Sequence, residues 1–417
     1  MKNSGTNTVI KFGDAFEIVT GSARRLGTER VGLDRVLNRV LAEDVISDSC
    51  LPPFNKSAMD GFACRRADLA NELTIIETIP AGYMPKKTIG TNQCAKIMTG
   101  AVVPVGADCV IMVEHTENVA ENRIRFAGRD TDENICLKGE DVNKGDVVLR
   151  TGCKIGPRHI AVLASHGYVK PLVALQPRVG IIATGDELVE PGEKPAAYQI
   201  RNSNGFQLAA QVTRVGATAT NYGIVADTKD ATDAMVKKAT AENDVVILSG
   251  GVSVGDYDLV REILRKNNVK LLFEKVAMKP GRPMVFGIKR LTADSEENAE
   301  KELKLNSNEA FYFGLPGNPV STYICFELFV KPFLYRMMGH DFEPVLSYGK
   351  LEKTIARKKT ERDSWLPVVF IKNGKVAEIE YHGSAHINAL CEANGLLCIP
   401  AGVAEIKEGT TVAVRQI

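Results

Sequence analysis

The sequence predicts a multidomain protein in which a doubly wound α/β domain is joined to β-rich regions on either side. Three observations support this fold class. The chain has 417 residues, which is too long for a single hydrophobic core. Its middle alternates strand-like and helix-like segments. The segments before and after the middle carry short β-like runs separated by Gly and Pro turns.

The alternating segments begin with residues 178–184, an apolar run typical of a buried strand. Residues 202–216 then have helical spacing, with an Asn/Ser start and a Gly stop. The later blocks are ATNYGIVA, KDATDAMVKKATAEN, DVVILS, YDLVREILRKNN, VKLLFEKVAM, PMVFGIK, AFYFGLP and the long helical block NPVSTYICFELFVKPFLYRMMG. This order predicts a parallel sheet with ligand-binding groups at the carboxyl ends of its strands. The acidic stretch 291–310 is interpreted as a solvated hairpin or loop.

The flanking segments have a different character. Residues 47–150 show little helical periodicity and predict a β-rich domain, from which a short helix over 156–167 leads out. After about residue 340, three further stretches are typical of hairpins and predict a small β-barrel.

Composition excludes several classes of function. A formal net charge of +1 gives no long-range field for nucleic acid or an anionic membrane, so any anion site must be local. No apolar run reaches transmembrane length, and the first residues lack the apolar core of a signal peptide. Nine cysteines without CxxC pairs fit reduced thiols in the cytoplasm and disfavour structural zinc. We interpret Cys64, Cys94 and Cys109 as small core residues.

A glycine-rich turn follows the strand that ends at Ser249, in the block SGGVSVGDYD. Backbone N–H groups of such a turn and the following helix N-terminus suit an anionic ligand. The spacing matches neither a P-loop nor a dinucleotide-binding turn. A tight strand-to-helix turn with a helix-capping Asp is the alternative.

Acidic residues follow neighbouring predicted strands. Asp186 and Glu187 come after one strand, Asp227 after the next, and Asp258 closes the glycine-rich turn. Glu187, Asp227 and Asp258 together would suit Mg²⁺, which prefers oxygen ligands and bridges phosphates. Alternatively, Asp186 and Asp227 are only helix caps or turn formers.

Basic residues follow another strand, in the block FEKVAMKPGRP. Lys275 and Lys279 lie four residues apart, and Pro280, Arg282 and Pro283 follow around a glycine. Lys and Arg suit an oxyanion or a phosphate, and the prolines restrict the backbone that carries them. A solvated charge pair is the alternative.

The block LPGNPVSTYICF is a second strand-to-helix turn. Gly317, Asn318 and Pro319 precede a long predicted helix, and Ser321 lies in its first turn. This helix N-terminus is a candidate anion site, and simple capping by Asn318 is a compatible alternative. In the β-rich region, Asp60, Thr99 and Asp141 taken alone are ordinary turn residues.

Seven blocks in this order resemble the MoeA/gephyrin E-domain family of molybdopterin molybdenumtransferases. They are NKSAMDGFA, IMTGAVVPVGADCVIMVE, KGEDVNKGD, ATGDEL, SGGVSVGDYD, KVAMKPGRP and GLPGNPVS. The resemblance covers almost the whole chain and implies four domains. They are a molybdopterin-binding α/β domain (7–26 and 178–329), a linking domain (27–46 and 147–177), a β-rich inserted lobe (47–146) and a C-terminal β-barrel (330–417).

The resemblance implies a reaction in which molybdate and adenylylated molybdopterin give molybdenum-loaded molybdopterin and AMP, with Mg²⁺ as cofactor. It also implies an elongated homodimer whose active cleft takes residues from both chains, and transient contact with enzymes that accept the cofactor. The catalytic residues would be Asp60, Asp141, Glu187, Asp227, Asp258, Lys275 and Lys279. The substrate-binding residues would be Thr99, Gly250, Gly251, Ser253, Gly255, Pro280, Arg282, Pro283, Gly317, Asn318, Pro319, Ser321, Arg362 and Ser384.

Two departures from the family pattern concern the oxyanion. The family's KPGK is KPGR here, which keeps the charge but changes its shape. Arg362 matches the first arginine of the family's C-terminal segment, whereas Pro367 stands where a second is expected. Ser384 matches a serine that contacts molybdate in the family. Tungstate remains an alternative to molybdate, and a molybdopterin adenylyltransferase or an interaction protein are the alternative functions.

Overall fold

The computed structural model describes residues 9–251, 259–291, 309–379, 383 and 386–417. These residues form two compact units, one within 1–43, 152–157 and 170–417 and the other within 44–151 and 158–169. None of the helices in the described part is both long and apolar enough to cross a lipid bilayer. The predicted division into four domains stays a prediction.

The first unit is built around a six-stranded mixed sheet. In chain order its strands are β1 (Arg178–Thr184), β2 (Thr218–Val225), β3 (Val245–Ser249), β4 (Lys270–Phe273), β5 (Val285–Arg290) and β6 (Glu309–Leu315). They lie in the order β2-β1-β3-β6-β5-β4. The predicted parallel pairing holds for β2, β1, β3 and β6, whereas β5 and β4 are antiparallel to their neighbours.

The antiparallel edge has a local cause. Arg290 at the end of β5 pairs with Glu309 at the start of β6, so these two antiparallel strands are consecutive in the chain and joined through the acidic stretch. Residues 292–308 of that stretch lie outside the described residues. A hairpin reverses direction without a crossover helix, which is why the alternation of strands and helices ends before β5.

Helices pack on both faces of this sheet. Ile181 faces a core that contains Leu208 and Phe333, whereas its neighbour Ile182 faces a second core that contains Val236 and Ile263. Successive strand residues point to opposite faces, so strands buried on both sides must be apolar throughout. The helices of this unit are Phe12–Ser22, Asn204–Val215, Lys229–Glu242, Leu259–Lys266, Pro319–Cys325 and Lys331–Met337, the last two joined by a π-helical segment over Phe326–Val330.

A closed five-stranded barrel ends the chain, which confirms the predicted C-terminal barrel. Its strands are Leu346–Leu351, Asp363–Ile371, Lys375–Glu378, Gly395–Ile399 and Thr411–Gln416. A short strand, Met278–Lys279, adds to the barrel by parallel pairing with the start of Asp363–Ile371. The predicted single strand VKLLFEKVAM is therefore two strands, one in the central sheet and one on the barrel.

Short two-stranded pairings complete the first unit. They are Thr28–Arg30 with Leu172–Ala174, Leu188–Val189 with Ile200–Arg201, and Ile355–Ala356 with Glu405–Ile406. Single turns of 3₁₀ helix occur at Leu33–Arg35, Lys372–Gly374 and Ile387–Cys391.

The second unit contains the β-rich region. Its six-stranded sheet has the order Cys109–Met112, Gly61–Cys64, Gln93–Ile97, Glu72–Ile79, Arg123–Phe126 and Thr116–Ala120. Two further pairings join Lys56–Ser57 to Ile135–Cys136 and Val45–Ile46 to Val147–Leu149. The predicted short helix is Pro157–Ser165, and 3₁₀ turns occur at Arg66–Asp68 and Val113–His115. Cys64, Cys94 and Cys109 are fully buried in the core of this sheet, as predicted.

Phe333 is expected to be a main stability determinant of the first unit. Its buried ring lies 4.9 Å from the ring of Phe311 and 5.3 Å from that of Phe313, measured between centroids. We predict that Phe333→Ala lowers the free energy of unfolding by about 3–5 kcal/mol, because the truncated side chain leaves a cavity. Phe206, whose side chain is 52% exposed, provides the control. Chemical denaturation that shows equal losses for Phe333→Ala and Phe206→Ala would contradict this assignment.

Candidate active site

The three central strands of the first unit end level with one another. Ala183 of β1 is in register with Ser249 of β3, and Ser249 is in register with Leu315 of β6. Their turns therefore begin at one edge of the sheet, where parallel α/β sheets bind ligands.

The turn after β3 can be made only by glycine. Gly250 and Gly251 have φ values of +97° and +64°, and a Cβ on Gly250 would collide with the carbonyl oxygen of Thr184. The N–H of Gly250 donates to the carbonyl oxygen of Leu315 at 3.2 Å, which ties the turn to β6. The geometry fits both the predicted anion turn and the alternative of a tight structural turn. Ser253, Gly255, Asp256 and Asp258 lie outside the described residues.

The turn after β6 contacts the turn after β3. A Cβ on Gly317 would lie 3.7 Å from the Cα atom of Gly250. Pro319 begins the following helix, Asn318 stands at its N-cap position without a side-chain capping bond, and Ser321 is buried in its first turn. Asn318 at the N-cap position with Pro319 at the first helical position is the arrangement of the capping alternative, although the Asn318 side chain makes no capping bond. The role of this turn as an anion site stays a prediction.

Acidic side chains lie beside these turns. Asp186 and Glu187 are exposed after β1, and Asp186 Oδ1 accepts a hydrogen bond from the N–H of Asp227 at 3.1 Å. Burial, with the nearby charges of Asp186 and Glu187, raises the pKa of Asp227. The capping alternative for Asp227 is wrong, because Thr228 is the N-cap of the following helix.

The carboxylate of Asp227 has the properties of a cation ligand. Its Oδ1 atom is buried and has no hydrogen-bond partner among the described residues. A divalent cation such as Mg²⁺ would satisfy this oxygen, so the chemistry of Asp227 fits one ligand of a Mg²⁺ site. Within the described ranges no group of three or more His, Cys, Asp or Glu side chains is arranged to hold a metal ion, and the third predicted ligand, Asp258, lies outside them.

The two lysines predicted as a pair lie in different environments. Lys275 is 5% exposed, whereas Lys279 is exposed at the end of the short strand on the barrel. Lys279 is close enough to Glu378 to lower the pKa of that carboxyl, although burial has the larger effect and raises it. Pro280 is buried, Pro283 is half-buried and Arg282 is exposed in the segment that follows.

Strand pairing brings the barrel segment with Arg362 to the lysine segment. Lys279 is in register with Ser364, and the N–H of Asp363 donates to the carbonyl oxygen of Ala277 at 3.1 Å. Arg357 supports this segment, since its Nη1 donates to Arg362 O at 2.7 Å and to Ser364 Oγ at 2.8 Å. Ser384 lies outside the described residues.

Asp60 and Thr99 form a pair on the second unit. Asp60 Oδ1 accepts from the N–H of Thr99 at 2.7 Å and from its Oγ1 at 2.8 Å. The backbone hydrogen bond, followed by the hydroxyl bond, lowers the pKa of Asp60. Asp141 is also exposed on this unit, where its N–H donates to the carbonyl oxygen of Leu51.

Two residues at the sheet edge escaped prediction. Thr184 ends β1, and Asn204 begins the helix after the Leu188–Val189 and Ile200–Arg201 pairing. Thr184 Oγ1 and Asn204 Oδ1 are both buried without a hydrogen-bond partner in the described part of the chain. The sequence around Asn204 predicts only the start of a helix, so the proximity of Asn204 to the glycine turns could not be inferred from the sequence.

Comparison with known families gives matches over most of the chain. Residues 10–167 match the MoeA N-terminal region (domain I and II), 180–336 match a probable molybdopterin binding domain, and 350–417 match the MoeA C-terminal region (domain IV). This chain belongs to the MoeA family.

Individual MoeA relatives align along almost their whole lengths. A protein of Staphylococcus epidermidis named molybdopterin molybdenumtransferase is 36% identical over 406 residues, covering 92% of this chain and 90% of that protein. The protein of the same name from Bacillus subtilis is 35% identical over 404 residues, with 94% and 90% coverage. A crystal structure of the molybdopterin biosynthesis moeA protein from Pyrococcus horikoshii has a TM-score of 0.81 at 30% identity and covers 98% of this chain and 100% of that one.

The glycine requirement at position 250 is testable with a matched control. Gly402 has a similar positive φ of +86°, but a Cβ there would meet nothing within 4 Å. Both alanine variants strain the backbone, and only Gly250→Ala also collides with Thr184. We predict that Gly250→Ala lowers the thermal unfolding midpoint several degrees more than Gly402→Ala. Equal thermal unfolding midpoints for the two variants would show that the turn accommodates a Cβ at position 250 without an additional loss of stability.

The Asp227 carboxylate is expected to destabilise the metal-free fold at neutral pH. Because its folded pKa lies above the unfolded value of about 3.9, stability falls as pH rises through the interval between the two values. We predict that Asp227→Asn raises the midpoint of metal-free protein at pH 7, with the gain shrinking towards pH 4. The exposed Asp230, in the first turn of the next helix, supplies the control Asp230→Asn. A lower midpoint for Asp227→Asn at pH 7 would contradict the assignment.

Proposed function

We propose that this protein is a molybdopterin molybdenumtransferase of molybdenum cofactor biosynthesis. It takes adenylylated molybdopterin and molybdate, places molybdenum on the dithiolene of the pterin and releases AMP. Membership of the MoeA family supports the proposal. The observation that carries it is the buried, unpartnered oxygen of Asp227 at the sheet edge that also holds the contacting turns at Gly250 and Gly317.

In this proposal the two turns hold the diphosphate linkage of the substrate. Backbone N–H groups and the start of the helix at Pro319 provide a positive potential that comes from fixed backbone dipoles. The residues assigned to this seat are Gly250, Gly251, Ser253, Gly255, Gly317, Asn318 and Pro319.

Glu187, Asp227 and Asp258 would hold Mg²⁺. When bound, the ion supplies Lewis acidity and charge neutralisation at phosphate oxygens. The protein's own contribution would be to supply carboxylate ligands at this edge of the sheet. Burial, with the nearby charges of Asp186 and Glu187, raises the pKa of Asp227, and a bound cation would favour its ionised form.

Molybdate is assigned to the cationic segment and the neighbouring barrel. Lys279 and Arg282 are exposed cations on a backbone restricted by Pro280 and Pro283, and Lys275 would help neutralise charge as the phosphoanhydride breaks. Ser321, Arg362 and Ser384 complete the assigned oxyanion contacts. Positioning and electrostatics suffice for this chemistry, so no protein nucleophile is assigned.

The proposal includes a homodimer in the cytoplasm. Asp60, Thr99 and Asp141 of one chain would act at the active cleft of the other. The exposed Asp60–Thr99 pair, with its lowered pKa, keeps a carboxylate charged for that purpose. Transient contact with cofactor-accepting enzymes would follow product formation.

The function is tested with purified protein, adenylylated molybdopterin, molybdate and Mg²⁺. We expect AMP release together with a product that activates an apo-molybdoenzyme. We also expect Asp227→Asn to lower AMP release at least ~100-fold, because its neutral amide cannot serve as the charged ligand, whereas Asp230→Asn retains wild-type rates.

Other outcomes of this assay would identify a different function. Formation of adenylylated molybdopterin from ATP and molybdopterin would replace the proposal with an adenylyltransferase. Absence of turnover in a folded dimer would favour an interaction role. Full activity of Asp227→Asn would remove the metal assignment while leaving the transferase activity in place.

A further inference from the structure

Asn204 lies between the two glycine turns of the candidate site. Its Nδ2 atom donates to the hydroxyl of Ser249 at 2.8 Å and to the carbonyl oxygen of Gly317 at 2.7 Å. Ser249 directly precedes Gly250, and Gly317 directly precedes the helix start at Asn318. One amide group therefore connects the ends of β3 and β6 at the points where their turns begin.

The orientation of this amide is determined by its partners. The carbonyl oxygen of Gly317 can only accept a hydrogen bond, so the amide nitrogen must face it. The opposite atom, Oδ1, is then an acceptor; it is buried and has no partner among the described residues. Buried polar atoms are normally satisfied, so this oxygen indicates a missing donor.

A second unsatisfied group lies at the same turn. Thr184 is 3% exposed, and its Oγ1 has no hydrogen-bond partner within the described ranges. That atom lies 3.1 Å and 3.0 Å from the positions that Cβ atoms on Gly250 and Gly251 would occupy. The hydroxyl thus borders the glycine turn itself, independently of Asn204.

Helix capping does not account for Asn204. Ser203 is the N-cap residue of this helix and makes no side-chain capping bond, and the N–H of Gly205 in the first turn donates to Asn202 Oδ1 at 3.0 Å. The Asn204 amide donates to Ser249 at the end of β3 and to Gly317 in the turn after β6, at sequence separations of 45 and 113 residues. Its contacts therefore serve the relative placement of the two turns.

We propose that Asn204 is a positioning residue that holds the Gly250 and Gly317 turns together as one diphosphate seat and offers its Oδ1 to a hydroxyl or N–H group of the substrate. The proposal rests on the proposed function. Glycine turns have many accessible conformations, and an anion is bound well only if the N–H groups converge before it arrives. An acceptor oxygen repels phosphate oxygens, so a donor-bearing part of the substrate must face Asn204 while the diphosphate faces the backbone.

Two variants separate the donor role from packing. Asn204→Asp keeps the shape and an acceptor but removes both N–H donors, and Asn204→Ala removes the whole amide. Thr213→Ala is the matched control, because Thr213 is exposed on the same helix and its Oγ1 donates to the carbonyl oxygen of Ala209 within that helix at 2.9 Å. The measurements are calorimetric binding of inorganic pyrophosphate with Mg²⁺, hydrogen exchange in both turns, and KM and kcat for AMP release.

We expect Asn204→Asp and Asn204→Ala to bind pyrophosphate at least ~10-fold more weakly and to exchange faster in both turns together. The KM for adenylylated molybdopterin should rise more than kcat falls, and Thr213→Ala should match wild type. Wild-type affinity in Asn204→Asp, or faster exchange in one turn only, would overturn the positioning role. If Asn204→Ala does not fold, hydrogen exchange of Asn204→Asp without pyrophosphate decides the question, because its added negative charge then has no anion to repel.

The pyrophosphate-binding measurement also distinguishes failure of this proposal from failure of the proposed function. Wild-type protein that binds pyrophosphate through Asn204 but releases no AMP would refute the transferase and retain the positioning role. If wild-type protein releases AMP and the Asn204 variants bind pyrophosphate and turn over normally, the transferase activity is retained and the positioning role of Asn204 is refuted. Failure of wild-type protein to bind pyrophosphate would overturn the diphosphate seat and the positioning role with it.

Discussion

Parallel pairing of β1, β3 and β6 is the constraint on which the candidate site depends. Because Ala183, Ser249 and Leu315 are in register, three turns start at the same level and must share a small volume. Side chains in the turns after β3 and β6 would compete for that volume, and a Cβ on Gly250 would meet the Thr184 carbonyl oxygen. Glycine at this position is thus a consequence of the strand register as well as of backbone conformation.

Electrostatics at this edge combine opposite requirements. The helix N-terminus at Pro319 carries a positive potential, whereas burial, with the nearby charges of Asp186 and Glu187, raises the pKa of Asp227. Under the proposed function, a bound cation would offset the carboxylates and a bound anion would offset the positive potential. A formal net charge of +1 gives the protein no long-range field, so the attraction of any ion to this edge would depend on such local groups.

The helical segment that begins at Asn318 also connects the site to the barrel. Further along it, the buried Glu327 accepts from Lys331 Nζ at 2.7 Å and from Gln211 Nε2 at 3.0 Å. Arg415 of the last barrel strand donates to the carbonyl oxygen of Glu327 at 2.7 Å. Buried charges need such complete pairing, and here the pairing holds the barrel against the helix whose first turn contains Ser321. The pairing of Lys279 with Ser364 makes a second connection between barrel and site.

The sequence by itself determined the alternation of strands and helices, the glycine turns, the C-terminal hairpins and the order of blocks that resembles one family. These features follow from local periodicity, turn chemistry and residue identity, which need no knowledge of distant contacts. Only the tertiary structure decided that β5 and β4 are antiparallel, that Thr228 rather than Asp227 caps a helix, and that Lys275 is buried while Lys279 is exposed. It alone showed that Asn204 joins residues 45 and 113 positions away. Such contacts depend on which strand ends become neighbours, and that order is set by non-local packing of the whole domain.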